Sequence, residues 1–598
     1  MSSTYSFDIT FVKRLVVISK VMINETTVVV MTYLLVICMI YETISYNVGM
    51  ITGAYYKALA DKDWNQFWSQ TLKALVLIIS IALVKSCKDY IVSTVYIEWR
   101  KSLTTKLNVL YFKDLSYYRL NVIDRYKDNL DQRITQDVDA FCRSLSSIIS
   151  DLLVWPFIIP FYTYHSYVII GYIGPLGCFI FFIVTTVLNK SLISMVSNKV
   201  YLQQQSEGNY RFQHIHVRNN CESIALQSGH TFENFKTQQL FNQLVSVQES
   251  LIVRELFLKS WVYLSDYLGS IISFIILSFP LFSGKYDNYL AADLSQLISQ
   301  NAFVTIYLIN CYSRLIDTAT QLTTIGGTAH RIGEVLEILN SNEDNRQSSS
   351  DLNTCINLLG LCESNNYCNV VNVSIKVPKS DETLINKLNI SINNETKLLI
   401  SGPSGTAKTS ILRVLKGIWK ETNGSIERHI DFDDPKMVLF LPQKPILMPI
   451  TSLLEQLSYP LKPDTDKYMT NKYFRDQIIH LMTFLDLHQL LQRIGDHFEK
   501  QMDWNWIDCL SPGEQQRISF VRLFLHRPLM AVLDESTSAI SVQMERKIYE
   551  ECNRLNIAII SCGHRTSLEE YHSCVLRVQK CDNPINSTLN EYSLQRLR

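Results

Sequence analysis

The stretch SGPSGTAKTS, residues 401–410, lies between a short apolar run and a segment whose apolar residues have helical spacing. Leu398, Leu399 and Ile400 precede it, as in a buried strand, and residues 411–419 follow it as the helical segment. A glycine-containing loop between a strand and a helix that ends in Lys-Thr is typical of phosphate-binding loops. Its backbone N–H groups and the helix N-terminus attract an anion. The stretch therefore predicts a nucleotide site on an α/β domain.

Within this loop, Lys408 would reach the β- and γ-phosphates, and the Thr409 hydroxyl would bind Mg²⁺. The usual pattern is G-x-x-x-x-G-K-[ST], and Ala407 stands where the second glycine is expected. Its methyl group can crowd the loop, and a chance loop of Gly, Ser and Thr is the alternative for this motif alone. We predict nucleotide contacts from Gly402, Ser404, Gly405, Thr406, Ala407, Lys408, Thr409 and Ser410.

The 598 residues divide by composition into an apolar part and a part typical of a soluble α/β domain. The formal net charge is zero, which gives no indication of a nucleic-acid partner. The 14 cysteines are scattered and favour reduced thiols in a cytosolic and intramembrane protein. We predict an α-helical membrane domain at 1–340, a polar linker at 341–369 and an α/β nucleotide-binding domain at 370–598.

Charge-poor stretches in the first part predict six membrane spans. They lie at residues 26–56, 67–84, twice within 152–189, 267–284 and 294–313. Polar residues 164–166 predict the turn between the two spans of 152–189, and the basic, apolar segment 11–20 predicts an interfacial helix. A buried helix of a soluble protein is the alternative for any single stretch, but six together favour a membrane domain.

Lys and Arg residues in the connections predict the orientation of the bundle. Residues 86–143 contain ten of them and residues 190–259 contain seven, whereas the opposite connections offer only Lys57, Lys62 and Lys285. The basic side is therefore predicted to be cytosolic, together with both termini. Each basic connection is roughly 60–70 residues long, so we expect helices that continue beyond the bilayer.

In the second part, strand-like runs are followed by groups that suit nucleotide hydrolysis. Gln443 follows the run 437–441 and can bind both Mg²⁺ and the attacking water. Asp534 suits the Mg²⁺ shell and Glu535 suits the general base that polarises this water, because both follow the run 529–533. His564 follows the run 557–561 and could bond the γ-phosphate. Singly, these are also ordinary surface or strand-end groups; their order along the chain favours a catalytic site.

The chain resembles an ATP-binding cassette (ABC) transporter, and among these the D subfamily of half-transporters. Residues 510–517, LSPGEQQR, are similar to the family's signature, usually LSGGQ or LSGGE. The resemblance covers nearly the whole chain and includes YYRL at 117–120, NLDQRITQDVD at 129–139 and EGNYRFQHIHVRNNCESIA at 207–225. Other stretches are similar to the subfamily's fourth, cobalamin-transporting branch: residues 301–308, 438–445 and 502–517. Pro512 supports this branch over the acyl-CoA-carrying ones, which usually have glycine there.

The resemblance implies a dimer, formed with a second copy or with a related half-transporter. ATP and Mg²⁺ would be bound between the subunits, with Thr409, Gln443 and Asp534 as metal ligands and Glu535 and His564 as catalytic residues. Ser511 and the Gly513 N–H would contact the γ-phosphate on the other subunit, with Glu514 in the same nucleotide-binding set, while Pro512 has no N–H to donate.

The resemblance further implies a multi-pass protein of the lysosomal membrane, reached through the endoplasmic reticulum, that moves cobalamin from the lumen to the cytosol. Membrane lipid and a cobalamin-trafficking membrane protein would be partners. A peroxisomal acyl-CoA or fatty-acid transporter and a membrane escort that binds ATP without useful turnover stay open as alternatives. Glu535 and His564 favour turnover, and Ala407 favours the escort.

Two more departures from the family concern the nucleotide site. Ser541 stands where many members have Asp, which bears on communication between the two ATP sites. Pro378 stands where many members stack an aromatic side chain on adenine, so the sequence assigns no adenine platform. The sequence also leaves the cargo and the direction of transport open.

Overall fold

The chain divides into two units by its internal contacts. The computed structural model describes residues 9–123, 130–353, 366–380, 382–420, 422–463, 472–495, 497–580 and 590–597. Unit 1 contains Met1–Tyr117 and Arg125–Asp351, and unit 2 contains Tyr118–Asp124 and Leu352–Arg598. A short segment from the first part of the sequence therefore belongs to unit 2.

Unit 1 is built from long helices. Their bounds are α1 Ile9–Met22, α2 Glu25–Ala60, α3 Trp64–Phe112, α4 Val138–Ile170, α5 Ile173–Asn219, α6 Cys221–Leu226, α7 His230–Phe282 and α8 Ala291–Asn353. Short helical turns join α3 to α4 on either side of residues 124–129. The predicted interfacial segment 11–20 lies within α1, and the predicted spans lie in α2, α3, α4, α5, α7 and α8.

Five helices of the described residues are long and apolar enough to cross a membrane: α2, α3, α4, α5 and α7. Unit 1 is therefore a helical membrane domain with several apolar helices. The sixth predicted span, residues 294–313, lies inside α8 and is not one of these five. Its Ser, Gln and Asn side chains lower its mean hydropathy, so its assignment as a span stays a prediction.

The turn between α4 and α5 lies at Gly171, so the prediction of a turn at residues 164–166 is wrong. Helix α4 continues through those residues, where Ser166 is buried and the His165 ring lies 4.7 Å from the Phe161 ring. Gly171 has a φ of 87°, which glycine adopts at little cost. Polar side chains that pack inside a helix bundle thus gave a false turn signal, and the nearby glycine gave the true one.

Helices α5 and α7 are much longer than one membrane crossing. They contain 47 and 53 residues. At about 1.5 Å per residue, each exceeds the roughly 30 Å hydrocarbon core more than twofold. These lengths agree with the expectation that helices continue beyond the bilayer, while the cytosolic placement of the extensions stays a prediction.

The predicted linker at 341–369 is partly regular structure. Helix α8 continues to Asn353, and the first strand of unit 2 already begins at Asn366. Glu, Gln and Arg are good helix formers, so a polar composition does not by itself end a helix. The boundary between the two units falls inside this segment.

Unit 2 contains a nine-stranded sheet in its described residues, in the order β4-β1-β2-β9-β8-β3-β7-β6-β5. Strands β5, β6, β7, β3 and β8 pair in parallel, whereas β1, β2 and β4 form an antiparallel group. The bounds are β1 Asn366–Lys376, β2 Thr383–Asn393, β3 Lys397–Ser401, β4 Asn423–Arg428, β5 Val438–Leu441, β6 Met530–Asp534, β7 Ala558–Gly563, β8 Cys574–Lys580 and β9 Asn590–Arg596. The four predicted strands correspond to β3, β5, β6 and β7.

Helices cover both faces of the parallel strands. Alternate residues of β6 enter two apolar cores: Leu533 belongs to one and Val532 to the other. The helices are α9 Lys408–Lys416, α10 Leu453–Ser458, α11 Lys472–Phe484, α12 His488–Ile494, α13 Trp506–Cys509, α14 Pro512–His526 and α15 Val542–Arg554. Burial on both faces is typical of parallel sheets in α/β domains, whose ligands bind beyond the carboxyl ends of the strands.

Candidate nucleotide-binding site

The predicted phosphate-binding loop joins the carboxyl end of β3 to α9, which begins at Lys408. A Cβ atom at Gly402 would lie 2.1 Å from the Val578 carbonyl oxygen, so only glycine fits there. Thr406 is fully buried and its hydroxyl donates to Pro403 O at 2.8 Å. Ser404 and Gly405 are exposed, whereas Ser410 is buried in the first turn of α9. The loop is therefore anchored at both ends, with its tip facing solvent.

Ala407 adopts the left-handed conformation that the usual glycine would adopt. Its φ is 62° and its ψ is 17°, at the position preceding α9. This conformation costs an L-residue roughly 1–2 kcal/mol, because Cβ approaches the carbonyl oxygen. The substitution of alanine for glycine thus leaves the path of the loop intact and adds strain.

Lys408 is held at the centre of the loop. Its Nζ donates to Gly402 O at 2.9 Å and to Pro403 O at 2.8 Å. Burial lowers the pKa of the Lys408 ammonium below its ordinary value, although Glu535 and Asp534 act in the opposite direction. The two nearby carboxylates favour the charged form of the Lys408 ammonium, which can then carry its positive charge beside a bound phosphate.

Thr409 and Asp534 bring two oxygen ligands together from different elements. The Thr409 hydroxyl donates to Asp534 Oδ1 at 3.2 Å, joining the start of α9 to the end of β6. Burial raises the pKa of the Asp534 carboxyl, and the hydrogen bond from Thr409 partly offsets this. Mg²⁺ prefers oxygen ligands and is usually bound by one or two carboxylates together with phosphate oxygens. The hydroxyl, the carboxylate and the amide of Gln443 therefore form a donor set that fits Mg²⁺.

Side chains from the ends of three strands meet at the Glu535 carboxylate. Gln443 Nε2, after β5, donates to Glu535 Oε2 at 2.8 Å, and His564 Nε2, after β7, lies 3.0 Å from Glu535 Oε1. The Glu535 N–H donates to Cys562 O at 3.0 Å, and the residue has a φ of 47°. Strained backbone of this kind clusters at functional sites. The structure thus brings together Lys408, Thr409, Gln443, Asp534, Glu535 and His564.

The signature residues begin α14 and form a capping box. The Ser511 N–H and hydroxyl donate to Glu514 Oε2 at 2.9 and 2.7 Å, and Ser511 Oγ accepts from Glu514 N–H. Partial burial raises the pKa of the Glu514 carboxyl, but the bonds from Ser511 outweigh it, so the net pKa is lowered. Pro512 occupies the first helical turn, where a missing N–H costs little. Among the described residues, the side-chain hydrogen bonds of Ser511 go to Glu514 and do not join the signature to its own phosphate loop.

The loop that follows β6 lies against the signature helix. A Cβ atom at Gly513 would lie 2.9 Å from Ala539 O, and Gln516 bonds both Ser538 Oγ at 3.0 Å and the Ala539 N–H at 2.9 Å. Ser541, which replaces the family's usual Asp, accepts from Met544 N–H and caps α15. Serine can cap a helix as aspartate does, so this departure preserves the helix start.

Sequence reasoning missed the residue that anchors this loop from its other side. Arg565 donates to Ser538 O at 3.0 Å, to Ile540 O at 3.2 Å and to the buried Glu545 carboxylate at 3.1 Å. Its position directly after His564 is the only sequence signal for this role. Arg565 directly follows His564, which meets Glu535. It therefore connects the Glu535 site to the loop that contacts Gly513.

Sequence reasoning also missed that residues 118–120, within the stretch YYRL, belong to unit 2. Tyr118 and Ile123 pack on the core formed by β1, β3 and α9, and Trp419 Nε1 donates to Tyr118 OH at 3.2 Å. No local pattern in the sequence distinguishes this segment from the helical extensions around it.

Comparison with known proteins supports this arrangement. Residues 15–282 match the model of ABC transporter transmembrane region 2, and residues 385–538 match that of the ABC transporter. The chain is 40% identical to the lysosomal cobalamin transporter ABCD4 of Mus musculus over 96% of this chain and 95% of that protein. It is 39% identical to the Homo sapiens protein of the same name, again over 96% of this chain and 95% of the relative.

A more distant relative is ATP-binding cassette sub-family D member 3 of Rattus norvegicus, 27% identical over 96% of this chain and 88% of that protein. The matches cover both units, and the nucleotide-binding unit is that of an ATP-binding, ATP-hydrolysing transporter. With one apolar helical unit and one such nucleotide-binding unit, the chain belongs to the ABC transporters of the D subfamily and is a half-transporter.

Proposed function

We propose that this half-transporter uses ATP hydrolysis to move cobalamin from the lysosome lumen to the cytosol. The observation that carries the proposal is the 40% identity to the mouse lysosomal cobalamin transporter, over 96% of this chain. A match of that coverage includes both the unit that contacts cargo and the unit that binds ATP. Identity to the rat sub-family D member 3 is 27% over the same share of this chain.

Unit 1 has an open cleft that would contact part of a cargo. About 560 Å³ lies between α2, α3 and α8. Its lining combines apolar side chains such as Met50 and Leu77 with the amides of Asn47, Gln70 and Gln300 and the ammonium of Lys73. Ligand sites are mostly apolar with a few polar groups that fix orientation. A cargo that carries both apolar surface and amide and phosphate groups, as cobalamin does, fits this lining.

In the nucleotide site, Lys408 and the loop amides would bind the phosphates, while Thr409, Gln443 and Asp534 would hold Mg²⁺. When bound, Mg²⁺ neutralises negative charge on the phosphate oxygens. Glu535 would accept a proton from the attacking water, and His564 would donate to the γ-phosphate. The bonds of Glu535 to Gln443 and His564 orient its carboxylate before nucleotide arrives. Ser511 and the Gly513 N–H of a second copy would complete the site.

Cargo transport is tested in proteoliposomes loaded with cobalamin, with ATP added outside to the nucleotide-binding units that face outward. We expect cobalamin to leave the vesicles only with ATP and only with hydrolysis-competent protein. We also expect cobalamin, and not a long-chain acyl-CoA, to stimulate ATP hydrolysis.

Cobalamin supplied outside the vesicles should not accumulate inside, which fixes the direction of transport. ATP hydrolysis stimulated by acyl-CoA and not by cobalamin, with tagged protein on peroxisomes, would establish the peroxisomal alternative. ATP binding without measurable hydrolysis would establish the membrane escort.

Replacing the proposed general base should stop hydrolysis and keep nucleotide bound. For Glu535→Gln, we expect the steady-state rate to fall on the order of 10²–10⁴-fold, because one positioned general base contributes that much. Retention of labelled ATP on purified protein measures the binding. The control is Glu550→Gln, a change of the same chemistry in an exposed pair with Arg546. Turnover of Glu535→Gln within a few-fold of the parent would remove Glu535 from this role.

The strained alanine of the phosphate-binding loop can be relieved by glycine. For Ala407→Gly, we expect an ATP affinity equal to that of the parent or up to ~5-fold tighter, corresponding to roughly 1 kcal/mol of strain. Ala407→Val should weaken binding, since a β-branched residue resists the left-handed conformation more strongly. Equilibrium binding of a fluorescent ATP analogue gives both values. Several-fold weaker binding of Ala407→Gly would mean that the loop is built around the methyl group.

A dimer in which each signature serves the partner's ATP makes a distinctive prediction. Lys408→Ala and Ser511→Arg should each abolish nucleotide trapping in a homodimer, because every site then carries one lesion. In a mixed dimer, both lesions fall into one site and the other site is intact. Tandem-purified mixed dimers should therefore trap about half as much nucleotide as the parent. Trapping no higher than in either mutant homodimer would indicate that the signature serves its own chain.

A further inference from the structure

Three buried polar side chains form a hydrogen-bonded chain beside the strand that leads to His564. Tyr549, Ser561 and His572 are each at most 3% exposed. The Tyr549 hydroxyl lies 3.0 Å from Ser561 Oγ, which lies 2.9 Å from His572 Nε2. On its other side, His572 Nδ1 lies 2.7 Å from Leu568 O. The roles proposed above for the nucleotide site use none of these groups.

Elementary donor and acceptor chemistry fixes the direction of every bond in this chain. The Leu568 carbonyl can only accept, so His572 Nδ1 carries a hydrogen. Burial lowers the pKa of His572 to about 4, so the ring is neutral at physiological pH and Nε2 is an acceptor. The Ser561 hydroxyl then donates to Nε2, and the Tyr549 hydroxyl donates to Ser561 Oγ. The arrangement satisfies each buried group, and it requires a neutral ring.

The two partners of His572 lie on opposite sides of His564 in the sequence. Ser561 lies in β7, three positions before His564, while Leu568 lies in the short helix Thr566–Tyr571 that follows it. This helix packs so closely on the end of β7 that a Cβ atom at Gly563 would lie 2.4 Å from Leu568 Cδ1. The His572 ring therefore ties together the two ends of the segment 561–568, which carries His564.

The same segment is joined directly to Glu535. Cys562 O, one residue after Ser561, accepts from the Glu535 N–H at 3.0 Å, and His564 Nε2 meets the Glu535 carboxylate. His564 itself is much more exposed than its supports, with 43% of its side chain accessible. A partly exposed side chain on a short connection needs such support, because a misplacement of about 1 Å can cost ~10²-fold in rate.

We propose that His572 is a positioning residue for ATP hydrolysis, which holds the backbone of His564 in place through Ser561 and Leu568. The inference rests on the proposed role of His564 and adds to it a group that does not touch nucleotide. His572 acts only as a neutral ring with the hydrogen on Nδ1.

Three substitutions of His572 separate its two bonds in the full-length dimer. His572→Gln can place an amide oxygen near the Nε2 position and keep the bond from Ser561. His572→Asn can place an amide N–H near the Nδ1 position and keep the bond to Leu568. His572→Leu loses both. We expect kcat to fall about 10-fold for His572→Leu and by less for the other two, with KM for ATP within about twofold of the parent.

Ser561→Ala provides a second variant that removes the bond to the ring, together with the bond from Tyr549, and leaves the ring itself unchanged; we expect the intermediate loss of His572→Asn. The matched control is His526→Leu, since His526 is a half-buried histidine that also contacts a carbonyl, Tyr459 O. It lies outside the Glu535 site, and its kcat should stay within about twofold of the parent. Dimer elution and thermal unfolding show which variants are folded.

Two readouts test the route through His564. Hydrogen exchange of the peptide 562–568 should be several-fold faster in His572→Leu, while the peptide 402–410 is unchanged. In a double-mutant cycle, His572→Leu should cost little further rate once His564→Ala is present, because residues that act together are not additive. Release of labelled phosphate measures these low rates.

The outcomes distinguish the two proposals. A folded His572→Leu, Ser561→Ala or His572→Asn with the parent's kcat and unchanged exchange would overturn the positioning role and leave the role of His564 intact. An equal loss from His572→Leu with and without His564 would also overturn it. If His564→Ala itself hydrolyses ATP at the parent's rate, the proposed role of His564 fails first.

Discussion

The nucleotide site depends on one carboxylate held from two sides. Glu535 lies at the end of β6, and its oxygens meet Gln443 from the end of β5 and His564 from the end of β7. These three strands are neighbours in the sheet and run parallel, so their carboxyl ends lie at one edge. The hydrophobic packing of helices on both faces of the sheet therefore sets the geometry of the polar groups, because it fixes the register from which they project.

Three departures from the family pattern leave the local backbone structure intact. Ala407 accepts a left-handed conformation, Pro512 occupies a helical turn that does not need its N–H, and Ser541 caps a helix in place of an aspartate. In each case the loop or the helix start keeps its conformation. The groups that would carry charge or move a proton, such as Lys408 and Glu535, keep the expected chemistry.

The sequence was sufficient for four of the nine described strands, the phosphate-binding loop and the residues gathered around Glu535, because strand patterns and motif spacing are local signals. It failed where a contact joins distant residues. The polarity of residues 164–166 suggested a turn, but helix packing buries Ser166, and the chain turns at Gly171. Arg565 and His572 carry no motif, and their partners became visible only when the sheet brought Ser538 and Ser561 beside them.

The membership of Tyr118–Asp124 in unit 2 has a consequence for how this protein can be divided. The chain passes from one unit to the other three times, not once. A fragment that starts at Leu352 would lack Tyr118 and Ile123, exposing the part of the core that they cover and leaving Trp419 Nε1 without its acceptor. The nucleotide-binding unit is therefore encoded by two separate stretches of the sequence. An isolated nucleotide-binding unit would need both stretches, Tyr118–Asp124 and Leu352–Arg598.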